Sequence, residues 1–206
     1  MTPAEIAALA ASYFLGAIPT SYLAGRVFKG IDLREHGSKN LGATNVYRIM
    51  GWRYAIPVGI FDVAKGAVPV LIIGPAASAL PWFPLVCGVL AVVGHVFSVF
   101  VGFKGGKGVA TSAGVVLGLA PMAVGLCLVV WAVIVWASGY VSLGSVVAAG
   151  IFPALVWAFY PARREGIWLY LVLAAVIIWM HRANLRRLAA GTENRFGRHA
   201  KGPAAP

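Results

Sequence analysis

A glycine- and lysine-rich segment in the middle of the chain has the composition of an anion-binding loop. Residues 102–108 read Gly-Phe-Lys-Gly-Gly-Lys-Gly, with four glycines and two lysines in seven positions. Glycine lets backbone N–H groups converge on an anion, lysine neutralises its charge, and a following helix adds the partial positive charge of its N-terminus. An ordinary basic turn would need the lysines but not this density of glycine. The segment is no P-loop for ATP, because Val101 and Gly108 stand where that motif requires Gly and Ser or Thr.

A second polar segment, residues 32–48, combines turn residues with positive charge. Gly37 and Gly42 let the backbone fold back, and a helix that begins near Thr44 would direct its N-terminus to the same point. The neutral donors and the basic residues of the segment are Ser38, Asn40, Thr44, Asn45, Arg34, Lys39 and Arg48. A plain loop that caps the next helix explains these residues equally well.

Three weaker signals lie elsewhere in the chain. His95 ends an apolar run shortly before the glycine–lysine loop, where a histidine can act as a proton carrier or simply bond to a carbonyl. Ser142 and Ser145 begin another apolar run, where hydroxyl residues are usually caps or packing contacts. His181 and Asn184 share one face of a predicted helix, as do Asn184 and Arg187, although a basic lipid-binding helix end has the same pattern.

The elements that position these residues are membrane helices. The chain has 206 residues, of which 60% are hydrophobic and only 11% charged. Long apolar runs alternate with short polar stretches, as in a bundle of transmembrane helices. The clear runs are 6–25, 54–74, 82–101, 122–137, 146–160 and 166–180. Asp62 and Lys65 lie inside the second run, and their spacing favours a structural ion pair over a carboxylate that serves the site.

The distribution of charge predicts a topology. The net charge is +11, and most of the 17 Lys and Arg residues lie in the stretches 26–53, 102–108 and 182–201. The positive-inside rule places these stretches in the cytoplasm, which requires an odd number of crossings. Counting the short apolar segment 109–120 as a seventh crossing satisfies that parity, with the N-terminus outside and the C-terminus inside. No basic stretch is long enough to follow nucleic acid, so we expect none to bind.

The motifs leave an enzyme and a transporter of a small organic phosphate as alternatives. A transporter binds its substrate near the membrane midplane and often contains repeats. Here the polar motifs fall on one predicted face and no repeat is visible, which favours chemistry at the membrane surface.

Taken in order, the motifs resemble those of the bacterial acyl-phosphate:glycerol-3-phosphate acyltransferases. The resemblance rests on four segments: 37–45, 94–111, 142–145 and 181–184. The chain departs from the family pattern at Lys39, where the family usually has Gly, at Ser98, where Pro is common, and at Ala183, where an acidic residue is frequent. The resemblance implies one all-α, polytopic membrane domain over residues 1–206, and we expect residues 196–206 to be a disordered tail.

The resemblance also implies the reaction. A fatty acyl group passes from acyl phosphate to the sn-1 hydroxyl of glycerol 3-phosphate, giving lysophosphatidate and phosphate, the first acylation of phospholipid synthesis. We expect membrane lipid as the surroundings, no metal or cofactor, no need for CoA or acyl carrier protein, and a site on the cytoplasmic side of a bacterial inner membrane. The expected catalytic residues are Ser38, His95, Lys107 and His181. The expected substrate-binding residues are Gly37, Asn40, Gly42, Thr44, Asn45, Arg48, Lys104, Gly105, Gly106, Gly108, Thr111, Ser142, Ser145, Arg182 and Asn184.

Overall fold

The computed structural model describes residues 1–196, and its regular elements within that range are all helical. The α-helices are α1 (Pro3–Ala17), α2 (Thr20–Lys29), α3 (Ala43–Met50), α4 (Trp52–Val68), α5 (Gly74–Ala77), α6 (Phe83–Val96), α7 (Val109–Leu117), α8 (Pro121–Ser138), α9 (Val141–Phe159), α10 (Ile167–Met180) and α11 (Arg182–Ala189). A π-helical turn at Pro69–Ile73 joins α4 to α5, and 3₁₀ turns form at Val99–Val101 and Pro161–Gly166.

Five helical segments are long and apolar enough to span a membrane, and a sixth is added if a bent pair is one span. The five are Pro3–Lys29, Trp52–Ala77, Phe83–Val101, Pro121–Ser138 and Val141–Phe159. The bent pair joins Pro161–Met180 to Arg182–Ala189 at an angle of 53°. Helix α7 has 9 residues, far fewer than the roughly 20 that cross the hydrocarbon. The predicted seventh crossing over 109–120 therefore stays a prediction.

The chain divides into two compact units, Met1–Leu119 and a second one that begins at Ala120. That both belong to a single domain stays a prediction. Of the tail predicted to be disordered, only Phe196 is described, and its N–H donates to the Gly139 carbonyl at 2.8 Å. The rest of that tail lies outside the described residues.

In the first unit, the apolar run 6–25 is interrupted where α1 gives way to α2. Pro19 between them lacks an N–H group and cannot continue the helical ladder. The carbonyls freed by the break are bonded by side chains, because Lys65 Nζ donates to Ile18 O at 2.9 Å and Ser98 Oγ donates to Ala17 O at 2.5 Å. Unpaired carbonyls are costly in an apolar interior, so these bonds stabilise a break that turns α2 toward α4.

Glycines bring two helix pairs of this unit into close contact. Helix α1 packs on α6, and a side chain at Gly16 or Gly94 would overlap the backbone of the opposite helix. Helix α4 packs on α7 in the same way through Gly66 and Gly114. Small residues allow such approach in membrane helices. Helix α7 is therefore lined by protein on the α4 side, which makes its short length tolerable.

In the second unit, α8 packs on α9 and α9 packs on α10. The helix that contains the predicted apolar run 146–160 begins earlier than the run, because α9 starts at Val141. The serines and glycine of its first turn are polar or small, so an apolar run read from the sequence starts too late. Gly144 faces the Trp131 ring of α8, and Ser145 Oγ bonds to Val141 O within the helix.

Candidate active site

The loop between α2 and α3 is organised by a cluster of charged residues. Asp32 is buried and accepts hydrogen bonds from the backbone N–H of Arg34 at 2.9 Å and from its guanidinium at 2.7 Å, with Arg26 at 3.3 Å. The side-chain hydrogen bonds from Arg34 hold the pKa of Asp32 at about 2, below its ordinary value. Arg34 also donates to the Val101 carbonyl at 3.1 Å and so ties this loop to the turn after α6.

Asn45 holds the same loop from the first turn of α3, which begins at Ala43 as the sequence predicted. Its Oδ1 accepts the Ser38 N–H at 2.8 Å, and its Nδ2 donates to the carbonyls of Leu33 and His36, both at 3.1 Å. Asn45 is buried, and the protein itself occupies both hydrogens of its amide. Its visible role is to position Ser38, while substrate contact by Asn45 stays a prediction.

Two residues of the loop adopt left-handed backbone conformations. Gly37 has φ +60°, and a Cβ there would collide with Asn45 Oδ1. Lys39 has φ +57°, one of two non-glycine residues with positive φ among the described ones. Non-glycine residues rarely adopt this conformation, which costs about 1–2 kcal/mol. The geometry thus gives a physical reason for glycine at position 39, where this chain has lysine.

The remaining predicted residues of this segment lie around that loop. Ser38 and Asn40 are half-buried, and Gly42 is the N-cap of α3. Thr44 and Arg48 are half-buried on α3 itself.

The glycine–lysine loop folds back on the end of α6. The N–H of Gly105 donates to Val96 O at 3.0 Å, and the N–H of Gly106 donates to His95 O at 3.1 Å. A Cβ at Gly106 would overlap both the His95 ring and the Leu41 carbonyl. These two N–H groups therefore serve the fold, contrary to the expectation that they converge on a phosphate. Any contact of Gly105 or Gly106 with substrate must come from other atoms.

The lysines of this loop lie on either side of the packed glycines. Lys104 is exposed and Lys107 is half-buried. Gly108, with φ +79°, caps the start of α7, so a helix does follow the loop as predicted. Thr111 is fully buried in the first turn of α7.

His95 lies beside a buried cluster of polar groups. Asp62 forms an ion pair with Lys65 at 2.8 Å, which confirms the predicted pairing. Thr20 Oγ1 donates to Asp62 Oδ1 at 2.5 Å, and His95 Nδ1 lies 3.8 Å from that oxygen. Ionisable groups within a membrane span normally mark function or a necessary pairing. Sequence reasoning missed Thr20, because its approach to Asp62 depends on the break between α1 and α2.

In the second unit, Glu193 joins residues from two predicted motifs. Its Oε1 accepts from Ser142 Oγ at 2.8 Å and from Asn184 Nδ2 at 2.6 Å, and its Oε2 accepts from Arg187 Nε at 2.7 Å. Burial raises the pKa of Glu193, but the hydrogen bonds from Asn184, Ser142 and Arg187 outweigh it and hold the pKa below its ordinary value. No role for Glu193 follows from its local sequence, although its three partners Ser142, Asn184 and Arg187 belong to motifs that the sequence analysis names.

His181 and Arg182 lie at the bend between α10 and α11. The Nδ1 of the buried His181 ring is 2.8 Å from Ile177 O. Since a carbonyl only accepts, Nδ1 carries a proton in this arrangement. Arg182 is exposed, donates to Trp179 O and stacks over the Trp179 ring at 4.2 Å.

Comparison with known proteins identifies the family. The family model described as glycerol-3-phosphate acyltransferase matches residues 6–191. The glycerol-3-phosphate acyltransferase of Geobacter sulfurreducens is 45% identical over 192 residues, covering 93% of this chain and 97% of the relative. The glycerol-3-phosphate acyltransferase of Chlorobaculum parvum is 40% identical over 229 residues, covering 95% of this chain and 98% of that relative. The chain belongs to the glycerol-3-phosphate acyltransferase family.

Solved structures of the family have the same fold. The crystal structure of PlsY (YgiH), an integral membrane glycerol 3-phosphate acyltransferase, in its glycerol 3-phosphate form matches with a TM-score of 0.87 at 38% identity, covering 94% of this chain and 96% of that one. Its lysophosphatidic acid form matches with a TM-score of 0.83, also at 38% identity, covering 94% of this chain and 95% of that one. The chain is thus an all-helical integral membrane acyltransferase. Every predicted site residue falls inside the range matched by the acyltransferase family, while Glu193 lies just beyond it.

Proposed function

We propose that this acyltransferase moves a fatty acyl group from acyl phosphate to the sn-1 hydroxyl of glycerol 3-phosphate. The observation that carries the proposal is the match to a family structure known with glycerol 3-phosphate and with lysophosphatidic acid. The second compound is the first one after a single acylation, so the two forms represent an acceptor and its product. Phosphate is the other product when acyl phosphate is the donor.

Acyl phosphate suits the chemistry of the candidate residues. The donor is a mixed anhydride, so the sn-1 oxygen can attack its acyl carbon directly while the C–O bond to phosphate breaks and phosphate leaves with the bonding pair. No covalent enzyme intermediate is needed. The enzyme must instead hold two anions together against their repulsion. Arg48, Lys104 and Lys107 supply positive charge for that task, and Ser38 supplies a hydroxyl that can orient the acceptor or polarise the carbonyl.

The proton of the sn-1 hydroxyl has three acceptable destinations: His95, His181 or a phosphate of the substrates. A general base needs an unprotonated nitrogen within reach of the hydroxyl. The hydrogen bond of His181 Nδ1 to Ile177 O fixes the orientation of its ring. His95 is buried, with its Nδ1 3.8 Å from Asp62 Oδ1. A substrate phosphate needs no such arrangement, because it arrives with the reactants.

The proposed topology has seven crossings, with the N-terminus outside and the site facing the cytoplasm of a bacterial inner membrane. The positively charged loops support this orientation. The close packing of α7 on α4 supports a short crossing that is shielded from lipid by protein. The acyl chain would lie along apolar helix faces that are open to the bilayer.

The first experiment is phosphate release by the purified protein with palmitoyl phosphate and glycerol 3-phosphate, without CoA or carrier protein. The proposal requires phosphate only when both substrates are present, with lysophosphatidate formed in equal amount. Turnover with acyl-CoA but not with acyl phosphate would show that the donor is wrong. If the folded protein showed no acyltransferase activity with any acyl donor, the proposed reaction would be refuted and phosphate transport favoured.

The Lys107→Ala variant tests the role of the glycine–lysine loop. Loss of one charged contact in a preorganised site is expected to lower the rate by about tenfold to a thousandfold. Lys29→Ala is the matched control, because Lys29 is an exposed basic residue at the end of α2, outside the candidate site. Near wild-type turnover of Lys107→Ala would remove this lysine from the mechanism.

A further inference from the structure

A small pocket, with room for about one water-sized group, opens between the broken helix and the two candidate loops. Residues 18–21 line it from the break, Leu41 from the first loop, and Gly105 and Gly106 from the second. Lys65 and His95 complete the wall. The pocket therefore touches both segments that the reaction is expected to use, although Ser21 and Lys65 belong to neither.

Three polar side chains on this wall have hydrogen-bonding capacity that no residue in the described range 1–196 fills. Ser21 is 2% exposed, and its Oγ finds no partner among residues 1–196. Lys65 Nζ has three donors and contacts two acceptors, Asp62 Oδ1 and Ile18 O. His95 Nδ1 lies 3.8 Å from Asp62 Oδ1, beyond hydrogen-bonding distance. Buried polar groups are rarely left unpaired, so their convergence indicates a polar ligand.

Charge and size restrict what that ligand can be. The positive charge of Lys65 is balanced by Asp62 at 2.8 Å, so the wall has no net charge from this pair and is a poor site for a phosphate dianion. Gly106 brings backbone so close to the His95 ring that even one methyl group would not fit there. The space suits a single oxygen atom that can both donate and accept, as a hydroxyl does.

We propose that this pocket is a subsite for one neutral hydroxyl oxygen, held by Ser21, Lys65 and His95. The inference rests on the proposed function, because glycerol 3-phosphate carries a second hydroxyl, at sn-2, that is not acylated. A hydroxyl seated here would fix the glycerol backbone beside Gly106. The same chemistry is offered by water, and the two sources are distinguished by the acceptor used in the assay.

The test combines the Ser21→Ala variant with two acceptors. Glycerol 3-phosphate has the sn-2 hydroxyl, whereas 1,3-propanediol monophosphate lacks it but keeps the hydroxyl that is acylated. If the substrate hydroxyl occupies the pocket, Ser21→Ala raises KM for glycerol 3-phosphate about three- to tenfold, the usual effect of one hydrogen bond. The variant then has the same KM as wild type for 1,3-propanediol monophosphate.

Ser12→Ala is the matched control. Ser12 is also buried in this unit, but its hydroxyl bonds to Ala8 O within α1, and it does not line the pocket. Its KM ratio between the two acceptors should equal that of wild type. Ser21→Ala should fold, since alanine favours helix and the hydroxyl it removes bonds to nothing in the described part of the chain. Unfolding temperatures of both variants check this.

The outcomes separate the alternatives. Equal losses of kcat/KM with the two acceptors would assign the hydroxyl to water and still support the subsite. Unchanged kinetics of Ser21→Ala with both acceptors would overturn it. Failure of wild type to use acyl phosphate would instead refute the proposed function, and the acceptor comparison would then be repeated with whichever donor the protein accepts.

Discussion

The buried ion pair between Asp62 and Lys65 allows a test of what holds the first unit together. Both side chains are almost fully buried, at 2% and 1% exposure, and lie 2.8 Å apart. At an effective dielectric constant of about 20, their attraction is about 6 kcal/mol. Most of it is offset by the cost of desolvating two charges. The pair therefore adds little compared with an apolar pair, but either partner left alone should be strongly destabilising.

The Lys65→Met variant removes the positive charge and leaves Asp62 buried with Thr20 as its remaining close partner. We expect the free energy of unfolding to fall by about 3–5 kcal/mol, the usual cost of an uncompensated buried charge. For a chain of this size, that corresponds to an unfolding temperature lower by about 6–20 °C. The double variant Asp62→Leu/Lys65→Met removes both charges and should recover most of this loss.

Thermal unfolding in detergent can be followed with a thiol-reactive dye, because the two cysteines, Cys87 and Cys127, are free and buried. Exposure of these thiols reports loss of the helix packing. A double variant as unstable as Lys65→Met would show that the lost hydrogen bond from Lys65 to Ile18 O, and not the unpaired charge, causes the effect. A Lys65→Met variant that unfolds at the wild-type temperature would show that Asp62 is compensated by other groups.

The Lys39→Gly variant is expected to unfold at a temperature about 2–4 °C above wild type, because glycine relieves about 1 kcal/mol of left-handed strain, whereas Lys39→Ala should give no gain. Glu193→Gln should lower the free energy of unfolding by about 1.5–3 kcal/mol near neutral pH, since it removes a carboxylate that accepts three hydrogen bonds. Because the pKa of Glu193 is depressed in the folded protein, its stabilisation is present at neutral pH and is lost as the pH falls through that pKa, so the unfolding temperatures of wild type and Glu193→Gln should converge in acid. Gly106→Ala should lower both turnover and unfolding temperature by displacing the His95 ring, whereas Gly125→Ala on α8, with no atom within 4 Å of the added carbon, should change neither; equal behaviour of the two alanine variants would contradict the packing argument.

Local signals in the sequence were sufficient for much of the fold. Helix starts near Thr44 and directly after the glycine–lysine loop were expected from the sequence, and α3 begins at Ala43 and α7 at Val109. The spacing of Asp62 and Lys65 within an apolar run was sufficient to predict their pairing. In each case the decisive partners lie within a few residues of one another, which is where sequence patterns carry information.

Contacts between distant segments could not be predicted in this way. Thr20 reaches Asp62, and Ser21 lines the pocket, because Pro19 breaks the first span; an apolar run that continues past the proline conceals this break. Glu193 accepts from Ser142, 51 residues away along the chain, and no local pattern relates the two. The sequence indicated that Ser142 and Asn184 mattered, but the carboxylate that holds both had to be seen in the structure.

The glycines of the glycine–lysine loop show why composition alone does not establish a role. Their density was taken as evidence for a phosphate cradle, since a basic turn has no need of it. The structure adds a third explanation. Gly105 and Gly106 pack closely against the end of α6, and their N–H groups donate to its last carbonyls. This packing holds the loop rigid, and a rigid loop is what a preorganised site requires of the lysines on either side. Glycine can therefore support anion binding by fixing Lys104 and Lys107 without contacting the anion itself. Under that interpretation, the clash of Gly106→Ala with the His95 ring lowers activity because it also displaces the loop and its lysines, and its effect should not add fully to that of Lys107→Ala.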